Sequence, residues 1–152
     1  MRLVFRALFP KMNVDPAAPI TVLALKNEKD FQQLEPAAYL GKGKLNLAGY
    51  FLRAPDMNLI MLRLDAQGDH PYATVYHEYT HLEVGDAMEW MPLWLNEGLA
   101  EFIQNTELED KTARLGEPNP DDLALLQQNR LIPLATLFKV GADSPYYHEE
   151  QK

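Results

Sequence analysis

His77-Glu78-Tyr79-Thr80-His81 sets two imidazoles four residues apart, with a carboxylate directly after the first. On an α-helix, residues at that spacing lie about 6 Å apart along the axis and share a face, so both rings can reach one ion. Glu78, one position past the first ring, can flank that ion without coordinating it and can accept a proton from a water held there. The chain contains no cysteine, which excludes thiolate ligands and a thiol nucleophile and leaves histidine and carboxylate to hold a metal. A catalytic zinc site takes three protein ligands and keeps one position open. His77 and His81 therefore need a third partner.

The extended metzincin pattern HExxHxxGxxH would require Gly at 84 and His at 87, but Val84 and Ala87 stand there. Glu83, Asp86 and Glu89 are candidates on the short connector that follows. Further on, Trp94-Leu95-Asn96-Glu97-Gly98-Leu99-Ala100-Glu101 carries two acids one helical turn apart, which could also be no more than a solvated helix face. This segment, paired with the HExxH run, resembles the NEG-type second motif of gluzincins such as aminopeptidase N-like and peptidase-MA-like domains, and more distantly thermolysin-like ones. The resemblance covers roughly Leu47 to Phe102, with a connector a few residues shorter than in aminopeptidase N-like enzymes.

The resemblance implies one zinc ion per chain, with Glu97 as the third ligand beside His77 and His81. It implies a zinc-dependent metallopeptidase in which Glu78 is the general base for hydrolysis of peptide bonds. Glu101 would hydrogen-bond a ligand histidine and so fix its tautomer. Ala48, Gly49 and Tyr50 would lie on the edge strand that binds the backbone of a peptide or protein substrate. An exposed strand edge offers N–H and C=O groups to an extended chain. Similar proteins draw a Tyr or His oxyanion donor from the helical region after the second motif, where Tyr146, Tyr147 and His148 are the late candidates. The rival reading is a zinc-binding domain without catalysis, or a catalytically incomplete fragment that binds peptides.

These residues need a scaffold, and the pattern around them predicts a single α+β, zincin-like domain over residues 1–152. Its first region, residues 1–69, is β-rich, and its second, residues 70–152, is helical and carries the site. Leu3 to Phe9 looks like the end of an amphipathic helix stopped by Pro10. Ile20 to Leu25 is β-branched and apolar, which predicts a buried strand, and Glu28 to Leu34 a short helix. Gly41 and Gly43 mark a loop. Leu47 to Arg53 and Asn58 to Leu64 are two more strands joined by a turn through Ala54-Pro55-Asp56, giving a small mixed sheet. Gly68 to Pro71 should open the metal helix and Gly85 close it. A second helix is expected from Pro92 to about Thr106, with Gly98 there to let it approach the metal helix closely.

After a polar break that takes in Glu107 to Lys111, a third helix spans Asp121 to Gln128 and a short fourth one Pro133 to Val140. Trp90, Trp94, Tyr76 and Tyr79 are expected in the core, because large aromatics at helical spacing usually pack.

The chain has 152 residues, enough for one domain, and 14 basic against 22 acidic residues give a formal charge of -8. That field repels polyanions, so nucleic acid is not an expected partner. No apolar run approaches the ~20 residues of a membrane span, and Met1 to Phe9 lacks the apolar core of a signal peptide, so compartment stays open. Oligomeric state is equally open. A start inside a helical pattern and an end without a stop signal suggest a piece of a longer protein.

Overall fold

A computed structural model describes residues 1–16, 18–34, 48–54, 56–66, 72–88, 90–141 and 143–146. Among the described residues the helices are α1 (Arg2–Leu8), α2 (Glu28–Gln32), α3 (Ala73–Ala87), α4 (Leu93–Gln104), α5 (Pro120–Gln128) and α6 (Leu134–Leu137). The strands are β1 (Ile20–Leu25), β2 (Gly49–Arg53), β3 (Asn58–Arg63) and a short pair, β4 (Glu107–Leu108) and β5 (Ala113–Arg114). The chain is a small α+β protein with a mixed three-stranded sheet in the order β1-β3-β2. The expected loop at Gly41 and Gly43 and the expected helix opening at Gly68 to Pro71 lie outside the described residues.

Strand β3 is central, parallel to β1 and antiparallel to β2. Side chains alternate between faces. Tyr50, Leu52, Leu59 and Met61 therefore share the face on which Phe31 of α2 packs, with the Phe31 and Tyr50 rings edge to face at 5.2 Å. Gly49, Phe51, Arg53, Ile60 and Leu62 share the opposite face, toward α3. A Cβ on Gly49 would collide with Thr74 Cγ2 and lie 2.6 Å from the Met61 carbonyl oxygen, so any larger residue would push α3 off the sheet.

Helix α3 is the hub. One side rests on the sheet, another on α4, and a third on α1, where Phe5 meets Tyr79 edge to face at 5.6 Å. Phe5, Val14, Val84 and Ile103 form the second buried cluster, tying α1, the loop after it, α3 and α4 together. A helix packed on several sides needs apolar residues around much of its circumference, and α3 has them.

The structure corrects several of the sequence expectations about this scaffold. β1 has the expected bounds but is not buried: its four central residues are exposed, with Val22 at 47% and Leu23 at 38%. The reason is position, since a strand at the edge of a three-stranded sheet is covered on only one side by its neighbour. Gly85 does not end α3, which continues to Ala87, because Gly85 keeps a negative φ and never forms a left-handed cap. Gly98 is exposed with open space where a Cβ would point, so a close approach to α3 is not what it serves.

Other elements follow local signals. Asn27 caps α2 by accepting from the Asp30 N–H, and Asn119 caps α5 ahead of Pro120. The polar break after α4 holds the β4–β5 ribbon, whose two-residue strands are too short to show a pattern in the sequence. At its exit Gly116 takes φ 68°, and a Cβ there would run into the Phe102 ring. The fourth helix is shorter than expected, and the Trp94 and Phe138 rings meet at 4.9 Å. Tyr76 and Tyr79 pack as expected, whereas Trp90 is 75% exposed and so stands outside the core.

Candidate metal centre

The site is made where α3 and α4 face each other. His77 and His81 stand one turn apart on α3 with ring centroids 4.8 Å apart, and Glu97 lies in the second turn of α4. The Nε2 atoms of the two histidines are 3.0 Å apart. Each of them lies 3.6 Å from the same oxygen of Glu97, Oε2. His77 is buried, while His81 and Glu97 are half-buried. Among the described residues these three form a His/His/Glu group able to hold a metal ion.

The donor set and its spacing suit a small divalent cation. A triangle with those sides has a point about 2.0 Å from all three corners, which is the length of a zinc–nitrogen or zinc–oxygen bond. Two imidazoles and one carboxylate also form a known catalytic ligand set that leaves a position open.

The alternatives on the connector fare differently. Glu83 is buried, with 4% exposure, on another side of α3, where it accepts a hydrogen bond from Tyr79. Burial, followed by this hydrogen bond and the charge of Glu83, raises the Tyr79 phenol well above its ordinary pKa. Glu83 also lines a cavity of about 790 Å³ between the segment Leu8 to Pro16 and the far end of α3. That cavity contains none of the His/His/Glu residues. Glu89 lies outside the described residues.

Helical periodicity places Thr74, Glu78, His81 and Gly85 on one stripe of α3. The contact of Thr74 with Gly49 shows that this stripe looks toward β2. Glu78 thus shares with His81 the stripe that looks toward β2, beside the ligand group. Glu101 sits one turn after Glu97, its Oε1 3.7 Å from His77 Nδ1, and it accepts a hydrogen bond from Gln104 Nε2. At 3.7 Å Glu101 and His77 are an ion-pair neighbour contact and not the expected hydrogen bond.

The strand expected to hold substrate is only partly arranged for it. The Arg63 N–H donates to the Ala48 carbonyl at 2.9 Å, and the Ala54 N–H to the Met57 carbonyl at 2.9 Å. Even-numbered residues of this stretch therefore turn their backbone groups toward β3, and Gly49, Phe51 and Arg53 turn theirs to the opposite edge, which no described strand pairs with. Ala48 and Tyr50 are consequently corrected. Tyr50 is buried at 4% exposure on the α2 face, where its hydroxyl donates to the Leu34 carbonyl at 2.9 Å. Of the late candidates for an oxyanion donor, Tyr146 is exposed, and Tyr147 and His148 lie outside the described residues.

One residue of this region had no signal in the sequence. Arg53 faces α3 from the last position of β2, its guanidinium 5.9 Å from the centre of the Phe51 ring. Its placement depends on strand register and on how α3 lies across the sheet, neither of which a local pattern encodes. Comparison with models of known families, with curated proteins and with solved structures finds no match to this chain.

Proposed function

We propose that this chain is a zinc metallopeptidase domain with a zincin-like, gluzincin-type arrangement. His77, His81 and Glu97 would hold the ion, and Glu78 would be the general base for peptide-bond hydrolysis. The observation that carries the reading is the convergence of three ligand atoms from two helices on one point, with an HExxH glutamate beside them. When bound, zinc supplies Lewis acidity and lowers the pKa of a water from about 15.7 toward 7.

The chain's own residues account for the rest. Glu78 faces the strip between α3 and β2, where it can take a proton from the attacking water and later deliver it to the leaving amine. Gly49 and Phe51 turn backbone N–H and C=O groups to the edge of β2 that no described strand pairs with, so an extended peptide can add as a further strand alongside Glu78. Water is the nucleophile in this scheme, and no acyl-enzyme forms. Glu101 lies near enough to His77 Nδ1 to orient that ring through a small side-chain movement.

The test compares wild type with Glu78→Gln after zinc loading and mild dialysis. Both should retain one zinc per chain by elemental analysis, while Glu78→Gln loses about 10²–10⁴-fold in peptide turnover. Near wild-type hydrolysis in the variant would remove Glu78 from the mechanism. Equal zinc in wild type and in His77→Ala would remove the cluster.

A further inference from the structure

The face of β2 that looks toward α3 ends in a charged residue, Arg53. Strand β2 runs along the same stripe of α3 that carries Glu78. Gly49 touches Thr74 near the start of the helix, and a Cβ on Gly85, near its end, would lie 4.0 Å from Arg53 Nη2. The stripe from Thr74 to Gly85 is about 16 Å long, and the five-residue strand spans nearly the same length. The level of His77 and His81 falls about halfway, opposite Phe51. Arg53 lies about 7 Å further along, or two strand residues.

The side chain of Arg53 shares the α3 face with Phe51, whose ring lies under the guanidinium. A planar guanidinium has five donors in a fixed fork, so it can pair with a carboxylate while keeping other contacts. The setting gives that charge a consequence. The chain carries -8, so an acidic side chain of a peptide meets a repulsive long-range field unless a cation receives it. Arg53 stands where a residue about two positions from the scissile bond would pass.

We propose that Arg53 is a specificity-determining residue that receives a carboxylate of an extended peptide added to the β2 edge, about two residues from the bond to be cut. Antiparallel addition, the more stable ladder, puts that carboxylate on the amino side of the scissile bond as an acidic side chain. Parallel addition would put it on the carboxyl side, where a free C-terminus supplies the same group. The inference rests on the proposed peptidase reading for the position of the scissile bond, but the recognition itself can be read without turnover.

The experiment uses zinc-loaded Glu78→Gln protein, so that peptides bind without being cut. Fluorescence anisotropy measures affinity for labelled peptides bearing Glu, Gln or Lys at each position in turn, with free and amidated C-termini. With Arg53 intact, one position should favour Glu over Gln by about three- to tenfold. Arg53→Ala should erase that ratio, and Arg53→Glu should shift the preference to Lys at the same position. Circular dichroism and zinc content should match the parent in both variants. Loss of preference at a side-chain position identifies an acidic residue, and loss between free and amidated termini identifies the C-terminus.

A Glu over Gln ratio that is unchanged in Arg53→Ala overturns the proposal, as does the absence of measurable peptide binding. If preference depends on Arg53 but the wild-type protein cuts none of the bound peptides, the peptidase reading fails and the recognition site stands. If the wild-type protein cuts peptides with a selectivity that Arg53 does not alter, the reverse holds.

Discussion

Helices α3 and α4 and helices α5 and α6 come from the same stretch of chain, yet they are held very differently. The first pair is closed in by the sheet and by α1, and Val84, Ala100 and Ile103 are almost wholly buried there. Neither α5 nor α6 buries a residue, and Leu125 and Leu134 are 62% and 65% exposed. The contrast shows where precision is needed. A metal ion at the His/His/Glu group would need three ligand atoms kept within a few tenths of an ångström of a shared point, and only elements packed on several sides can do that. A helix with a good cap and acidic first turn, such as α5, forms for local reasons but positions nothing in the site.

The sharpest way to break this comparison is to remove support beneath α3 without touching the candidate site. Phe5→Ala opens a cavity under Tyr79 and should cost about 3–5 kcal/mol in urea unfolding, with metal affinity falling as α3 loosens. A loss below about 1 kcal/mol would mean that α1 is not among the supports.

A second variant sharpens it within the site. Glu101→Ala should leave the fold intact and weaken zinc about 10–100-fold in competition with a chelator, because His77 Nδ1 loses its carboxylate neighbour. Unchanged affinity would return Glu101 to an ordinary exposed helix residue.

The smallest effect is expected on the other side of the comparison. Leu125→Ala removes an exposed side chain from α5 and should change stability by about 0.5 kcal/mol or less, with no change in zinc content. A loss near that of Phe5→Ala would show that α5 packs in solution on something that buries Leu125.

The amino-acid sequence by itself determined what depends on neighbours along the chain. Two histidines at a spacing of four meet on one helix face because the helix repeats every 3.6 residues, and Glu78 falls beside them for the same reason. Runs of strand-forming residues gave β1 its bounds and put β2 and β3 within two residues of theirs, and acids in the first turn put the start of α5 within one residue. A family resemblance singled out Glu97, and spacing alone left Glu83, Asp86 and Glu89 open beside it.

The tertiary structure decided what depends on elements meeting. Glu97, sixteen positions after His81, reaches the two rings because α4 packs against α3, while nearby Glu83 turns away into the contact with Tyr79. Apolar β1 lies exposed because it is an edge, and Gly85 stays helical because its backbone keeps a negative φ where α3 passes Arg53. Tyr50 turned to the α2 face and Arg53 to the α3 face because the β2–β3 register fixed the parity of the strand. Side-chain periodicity in a strand is two, so sequence can say that neighbours diverge, and only the sheet's partners say which of them faces the site.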